Sequence, residues 1–270
     1  MSLLQTIILS IIEGLTEFLP ISSTAHLKFA NPFLGVPDSA FVNMFEVVIQ
    51  LAAILSVVVI YYKKFFDLKS TSFYLKLIIA VIPALIFGAV LKKQIDAALG
   101  NLIFIACVMI GGGILLLFID NIFKTNNIDK EEKVSLPKAF VIGCFQVLSI
   151  IFPGLSRSAA TIIGGMSQKL TRSLAAEFSF LLAVPTMLAA SVKSFYDVYK
   201  EHPEVLVKDN MAILGIGGIV SFIVALIAVK FFITYIQKHG FKLFGWYRII
   251  LGSIMLVLIL TGVVVNVSNH

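Results

Sequence analysis

This sequence predicts an all-α polytopic membrane protein, and three observations carry the prediction. Its 270 residues are 59% hydrophobic and only 13% charged, with a mean hydropathy of +1.01. A soluble domain carries about 25% charged residues. Six apolar stretches, 41–62, 74–91, 101–120, 172–196, 211–236 and 246–266, each have the length of a transmembrane helix, about 20 residues. Two further apolar stretches are interrupted, one at Pro20 and one at Pro153-Gly154.

The first interrupted stretch runs over residues 3–31 and the second over 138–168. Neither half of either stretch is long enough for a comfortable crossing. Each is expected to form a re-entrant helical hairpin that enters and leaves by one face. A polar linker, Lys124 to Lys138, lies between the third and fourth spans. Setting Pro20 on Pro153 places Glu13 on Gln146, Glu17 on Ile150 and Ser23 on Ser156. The chain therefore reads as one membrane domain of two weakly similar halves, 1–123 and 137–270. Each half holds one hairpin and three spans. An odd number of spans puts the halves in opposite orientations, so the expected architecture is an inverted-topology repeat with its site at the repeat interface.

Charge placement orients this layout. The loops 63–76, 121–138, 169–172 and 237–248 hold 13 of the 21 basic residues, among them Lys69, Lys76 and Arg248. The opposite side holds six: Lys28, Lys92, Lys93, Lys193, Lys200 and Lys208. The richer side is expected to be cytoplasmic. Both termini and loop 197–210 then face outward, the first hairpin enters from outside and the second from the cytoplasm. The net charge of +6 fits basic loops on an anionic membrane surface, and no aromatic-plus-basic pattern supports nucleic acid. Cys107 and Cys144 lie in apolar runs and read as small core residues. The N-terminus lacks the basic region and cleavage site of a removable signal peptide.

The chemistry is concentrated in the two interrupted stretches. Residues 13–26 read Glu-Gly-Leu-Thr-Glu-Phe-Leu-Pro-Ile-Ser-Ser-Thr-Ala-His. Glu13 and Glu17 share one helix face. Two carboxylates in low dielectric repel each other, and a divalent cation between them removes that cost. A proton relay, or burial against Arg157, would serve as well. Ser22 and Thr24 read equally as helix caps. Ser23 and His26 are three residues apart on one face, the spacing of a nucleophile and its base. His202, His239 and His270 read as solvated. The second stretch contains Pro153-Gly-Leu-Ser-Arg-Ser-Ala-Ala-Thr161. Arg157 at the start of a half-helix, with Ser156, Ser158 and Thr161, forms an expected phosphate cradle. The competing reading pairs Arg157 with Glu13 or Glu17. Glu46 is a candidate third acidic ligand or a group behind the ligands, Gln50 has no decided role, and Glu177 is expected to pair with Arg172.

These motifs, Glu13-x-x-x-Glu17-Phe-Leu-Pro-x-Ser-Ser-Thr-x-His26 and Pro153-Gly-x-Ser-Arg-Ser-x-x-Thr161, resemble those of the bacterial undecaprenyl pyrophosphate phosphatases, the bacitracin-resistance phosphatase family. Phe45-Glu-Val-Val-Ile-Gln50 and Glu177-Phe-Ser-Phe-Leu-Leu-Ala-Val-Pro185 match as well. The resemblance spans nearly the whole chain. It implies hydrolysis of undecaprenyl diphosphate to undecaprenyl phosphate, which recycles the lipid carrier for cell-wall synthesis and confers bacitracin resistance. It also implies a divalent cation, Mg²⁺ or Ca²⁺, and an active site open to the outer face of the bacterial cytoplasmic membrane. Six spans and two re-entrant hairpins in inverted repeat are the fold it implies. By the same resemblance Glu13 and Glu17 are the acidic pair, Ser23 and His26 the reacting pair, and Arg157 the phosphate-binding arginine.

The expected mechanism has Arg157, Ser156, Ser158, Thr161 and Ser22 hold phosphate oxygens while Glu13 and Glu17 hold the cation. Ser23 is the expected nucleophile with His26 as base or acid. His26 itself or an activated water are the alternatives. A lipid-phosphate or anion transporter with the same inverted repeat is the rival of another class. Membrane lipids and the lipid substrate are the expected partners, with a homodimer left open.

Overall fold

A computed structural model describes residues 1–67, 70–205 and 207–264. Its helices are α1 (Leu3–Thr16), α2 (Ser23–Leu34), α3 (Ala40–Ile60), α4 (Tyr62–Phe65), α5 (Thr71–Val90), α6 (Lys92–Leu99), α7 (Leu102–Ile122), α8 (Leu136–Ile151), α9 (Arg157–Ser167), α10 (Arg172–Glu201), α11 (Lys208–His239) and α12 (Lys242–Leu260). Among the described residues the only extended pairing is an isolated bridge between Ile128 and Leu170. Helices α3, α5, α7, α10, α11 and α12 are long and apolar enough to cross a membrane. The chain is thus a multi-pass membrane protein. Large apolar side chains such as Ile86, Phe118, Ile227 and Leu260 remain exposed on these helices, where lipid tails would cover them. The expectations for Lys69, His270 and the end of the sixth span, residues 265–266, fall outside the described residues.

Both interrupted stretches are short helix pairs. In α1 the hydroxyls of Thr6, Ser10 and Thr16 donate to carbonyls four residues back, which satisfies them inside an apolar helix. The chain turns over residues 17–22, and Ser22 caps α2 by accepting from the Ala25 N–H at 3.3 Å. The second pair repeats this design: Ser156 caps α9 by accepting from the Ala159 N–H at 3.2 Å. Ser22 and Ser156 also share a positive φ, 71° and 76°. The structural counterpart of Ser156 is therefore Ser22, whereas the proline-on-proline alignment had placed Ser23 there. The second turn is one residue longer between proline and cap. Gly154 tightens it, with φ +98° and its Cα so close to α7 that a Cβ would lie 2.6 Å from the Ile105 carbonyl oxygen.

The helices pack across the two halves. Helix α1 lies on α11 and α8 lies on α5; α3 packs on α10, and α7 on α12. The close approaches need glycine. At Gly143 on α8 a Cβ would sit 2.2 Å from the Ala80 carbonyl oxygen of α5. Gly143→Ala is expected to destabilise the fold by about 1–3 kcal/mol through overpacking. Thermal unfolding of the purified protein checks this against Gly215→Ala, where nothing lies within 4 Å of the added carbon.

The main core gathers around Phe18, Phe178, Phe180, Phe232, Phe241 and Phe244. Phe18 meets Phe180 edge-on, with ring centroids 5.2 Å apart. That contact pins the turn after α1 against α10. The polar linker also docks onto the bundle: the Asn126 amide donates to the Met166 and Leu170 carbonyls.

Three charge placements differ from the sequence expectation. Lys76, counted as a loop charge, lies in α5, nearly buried, and pairs with Glu131 at 2.7 Å. Arg248, also counted as a loop charge, lies fully buried within α12. Arg172 pairs with Asp120 at 2.6 Å, and Glu177 pairs with Lys64 at 2.5 Å instead of with Arg172. Positions five apart point about 140° away from each other on a helix, so Arg172 and Glu177 cannot face one partner.

Candidate active site

The two turns meet. A cavity of about 630 Å³ opens between them and the flanking helices. Glu17, Ser22, Ser23, Thr24, Ser156 and Arg157 line one end. Gln146, Ser149 and Thr186 form a second polar group, and Lys193 also reaches the cavity. Apolar residues of α5, α6 and α10, including Leu85, Leu99 and Met187, make most of the remaining wall. Leu85 is also 48% exposed on the outside of the bundle, so this wall borders the surface that lipid would cover.

Glu17 is the hub of the polar end. Its Oε2 accepts the Ser23 hydroxyl at 2.6 Å, and its Oε1 accepts from Arg157 at 3.0 Å. Gln50 reaches Oε2 at 3.5 Å. Arg157 also donates to the Ser179 carbonyl at 3.1 Å, while its Nε is buried without a partner. Thus the ion pair weighed against the phosphate cradle is present, and one guanidinium donor is left without a partner. One residue of α9 joins the first turn to α10.

The geometry brings Glu17, Ser22, Ser23, Ser156 and Arg157 together at one cavity wall. It does not bring Ser158 or Thr161 there. Ser158 is fully buried and donates to the Phe18 carbonyl at 2.7 Å. Thr161 donates to the Arg157 carbonyl and meets the Ser179 hydroxyl at 2.6 Å. Both hydroxyls tie α9 to its neighbours. Nor does His26 bond to Ser23. Its Nδ1 lies 2.7 Å from the Ser22 carbonyl oxygen and its Nε2 lies 2.7 Å from the Tyr247 hydroxyl. His26 lies three positions after Ser23, about 60° round the helix, and its ring points toward α12.

Glu13 lies one turn before Glu17, fully buried, and neither of its carboxylate oxygens has a hydrogen-bond partner. A buried carboxylate cannot stay both charged and unpartnered. A second carboxylate one turn away and a substrate diphosphate would complete the oxygen set that a divalent cation takes. The donor set therefore fits such an ion. Glu46 accepts from Asn31 at 2.8 Å and lies 3.7 Å from Lys28. Among the described residues no three His, Cys, Asp or Glu side chains gather as a metal site by themselves.

Arg248 is the residue the sequence reading missed. Its guanidinium donates to the carbonyls of Pro20, Leu155, Gly154 and Met109 at 2.7–3.1 Å. One buried cation thus holds the tips of both turns without any carboxylate. The available signal was an arginine inside an apolar run, Tyr247-Arg-Ile-Ile-Leu251.

Comparison with known proteins places the chain in a family. The family model described as Bacitracin resistance protein BacA matches residues 6–254. An undecaprenyl-diphosphatase of Flavobacterium psychrophilum is 51% identical over 258 residues, 96% of each chain. One of Porphyromonas gingivalis is 48% identical over 279 residues, 97% of this chain and 99% of that one. One of Bdellovibrio bacteriovorus is 43% identical over 270 residues, 97% of this chain and 98% of that one. With a match that takes in both turns and every helix but the very ends of the chain, this protein belongs to the bacitracin resistance protein BacA family.

Proposed function

We propose that this protein is a phosphatase that hydrolyses undecaprenyl diphosphate to undecaprenyl phosphate and inorganic phosphate. This activity returns the lipid carrier to cell-wall synthesis and underlies bacitracin resistance. The observation that carries the reading is the Ser23–Glu17–Arg157 arrangement at the wall of a cavity that is otherwise apolar.

Ser23 is the nucleophile and Glu17 its base. The carboxylate already accepts the serine hydroxyl, so attack on the terminal phosphorus needs no rearrangement of the pair. The Ser23 oxygen bonds to that phosphorus, the bridging P–O bond breaks, and undecaprenyl phosphate leaves. Water activated by Glu17 then cleaves the phosphoserine, releasing inorganic phosphate and returning the proton to Ser23. As the serine proton moves to Glu17, the Arg157 guanidinium is released to the phosphate that arrives beside it. Ser22 and Ser156, which line the same cavity, are the neighbouring hydroxyls for its oxygens. The first isoprene units lie along the apolar wall, and the tail remains in lipid. Glu13 and Glu17 would hold a divalent cation, Mg²⁺ or Ca²⁺, which when bound neutralises diphosphate charge.

The pairing of helices supports an inverted-topology repeat, 1–123 against 137–270. The packing of α1 on α11 is matched by that of α8 on α5, and the two serine-capped turns are matched in geometry. Helices α1–α2 and α8–α9 are then the two re-entrant hairpins, meeting at the midplane. Removing the buried Lys76 and Arg248 leaves eleven basic residues on the proposed cytoplasmic side against six outside. The cavity, with Lys193 from the outer set, opens to the outer face of the bacterial inner membrane.

Purified protein in detergent is expected to release phosphate from undecaprenyl diphosphate. Chelator should abolish release, and Mg²⁺ or Ca²⁺ should restore it. Release that persists in chelator removes the cation from the mechanism. Absence of any release removes the hydrolase and leaves the transporter.

A further inference from the structure

We propose that Tyr247 is a positioning residue that holds His26 as a clamp on the turn before Ser23. This rests on the reading of Ser23 as nucleophile, and it gives His26 a role other than base. The hydrogen bonds fix the tautomer. The Ser22 carbonyl can only accept, so the His26 Nδ1 at 2.7 Å carries a proton. In the neutral ring Nε2 is then an acceptor, and the Tyr247 hydroxyl at 2.7 Å is its donor. The two rings lie parallel, 2° apart, with centroids 5.6 Å apart.

The clamp has a strained object. Ser22 holds φ 71° and ψ 91°, a region that a serine keeps only when its surroundings impose it. Its carbonyl belongs to the peptide that leads into Ser23. That oxygen receives two donors from His26, the main-chain N–H at 3.2 Å and the ring Nδ1–H. The direction of the Ser23 side chain is thereby set from behind the turn. Neither His26 nor Tyr247 lines the cavity. The next residue of α12, Arg248, holds the Pro20 carbonyl two residues before Ser22. Consecutive residues of one helix thus fix both sides of the turn, one directly and one through an imidazole.

Ring ¹⁵N spectra of the full-length protein test the tautomer, with the His26 signals identified by their loss in His26→Gln. Wild type is expected to show the Nδ1–H pattern. Tyr247→Phe should keep the proton on Nδ1 but shift the Nε2 signal by loss of its hydrogen bond, and lower kcat about tenfold, the effect of one hydrogen bond, with KM unchanged. Two substitutions at position 26 separate clamp from base. His26→Asn places an amide N–H where Nδ1–H stood, whereas His26→Gln reaches only toward Tyr247. The clamp requires His26→Asn to keep more activity than His26→Gln, and Tyr247→Phe to cost nothing further in the His26→Asn protein. Unchanged ¹⁵N shifts in Tyr247→Phe, or equal loss in the Asn and Gln variants, would overturn it. The spectra are read without turnover, so a failure of the phosphatase reading is visible separately.

Discussion

Glu17→Gln is expected to lower turnover about 10³-fold or more, within the range that removal of a positioned general base produces and with a further loss from the freed arginine. Besides its place in the proposed cation site, Glu17 has two hydrogen-bonding tasks at once. One oxygen takes the Ser23 proton and the other holds Arg157. An amide can take no proton, and its nitrogen would face either a hydroxyl hydrogen or a guanidinium. Breaking a buried pair by removing one partner costs about 3–5 kcal/mol, so thermal stability should fall as well. Rapid-quench labelling with terminally labelled substrate checks the chemistry. Wild type should carry label on Ser23 and Glu17→Gln should not. Label on His26, or none in wild type, would remove Ser23 as nucleophile. Glu13→Gln provides the contrast. Its loss should be recovered in part by a higher cation concentration, whereas no concentration should rescue Glu17→Gln.

Much of this site could be read from the sequence because lipid makes polarity conspicuous. Glu13, Glu17, Ser23 and Arg157 stand in apolar runs, and such groups need partners. The breaks at Pro20 and Pro153-Gly154 located the turns for the same reason, since a freed backbone must be capped. What could not be read was direction around a helix. Ser23 and His26 are close in sequence, yet Ser23 turns to Glu17 and His26 to α12. Ser158 and Thr161 have the composition of a cradle, but their hydroxyls are already bonded inside the bundle. Spacing alone cannot distinguish a hydroxyl facing a cavity from one facing the next helix.

Arg248 illustrates a second limit. A basic residue near the start of a span looks like a loop charge under the positive-inside rule. Its four acceptors are backbone carbonyls, contributed by three distant segments. Carbonyls have no sequence signature, so no acidic residue advertised the partner. The same holds for the Ser179 carbonyl that steadies Arg157.

Arg157→Lys tests whether shape or charge matters at the second turn. The guanidinium reaches Glu17 and the Ser179 carbonyl through two different nitrogens, and its Nε is left over. This fork spans a carboxylate, a carbonyl and an incoming phosphate at once. A lysine keeps the positive charge but offers one compact donor at the end of a flexible stem. It can neutralise Glu17, so the fold should survive with only a small drop in melting temperature. It cannot hold the phosphate in the same geometry. Hydrogen bonds to charged groups contribute about 1.5–3 kcal/mol each, so losing one or two predicts a fall of roughly 10²- to 10³-fold in kcat/KM. Because the serine–glutamate pair is intact, Ser23 should still be labelled slowly. Near wild-type turnover in Arg157→Lys would mean that only the charge is needed, and Arg157 would then be the counter-ion of Glu17 and no cradle for phosphate.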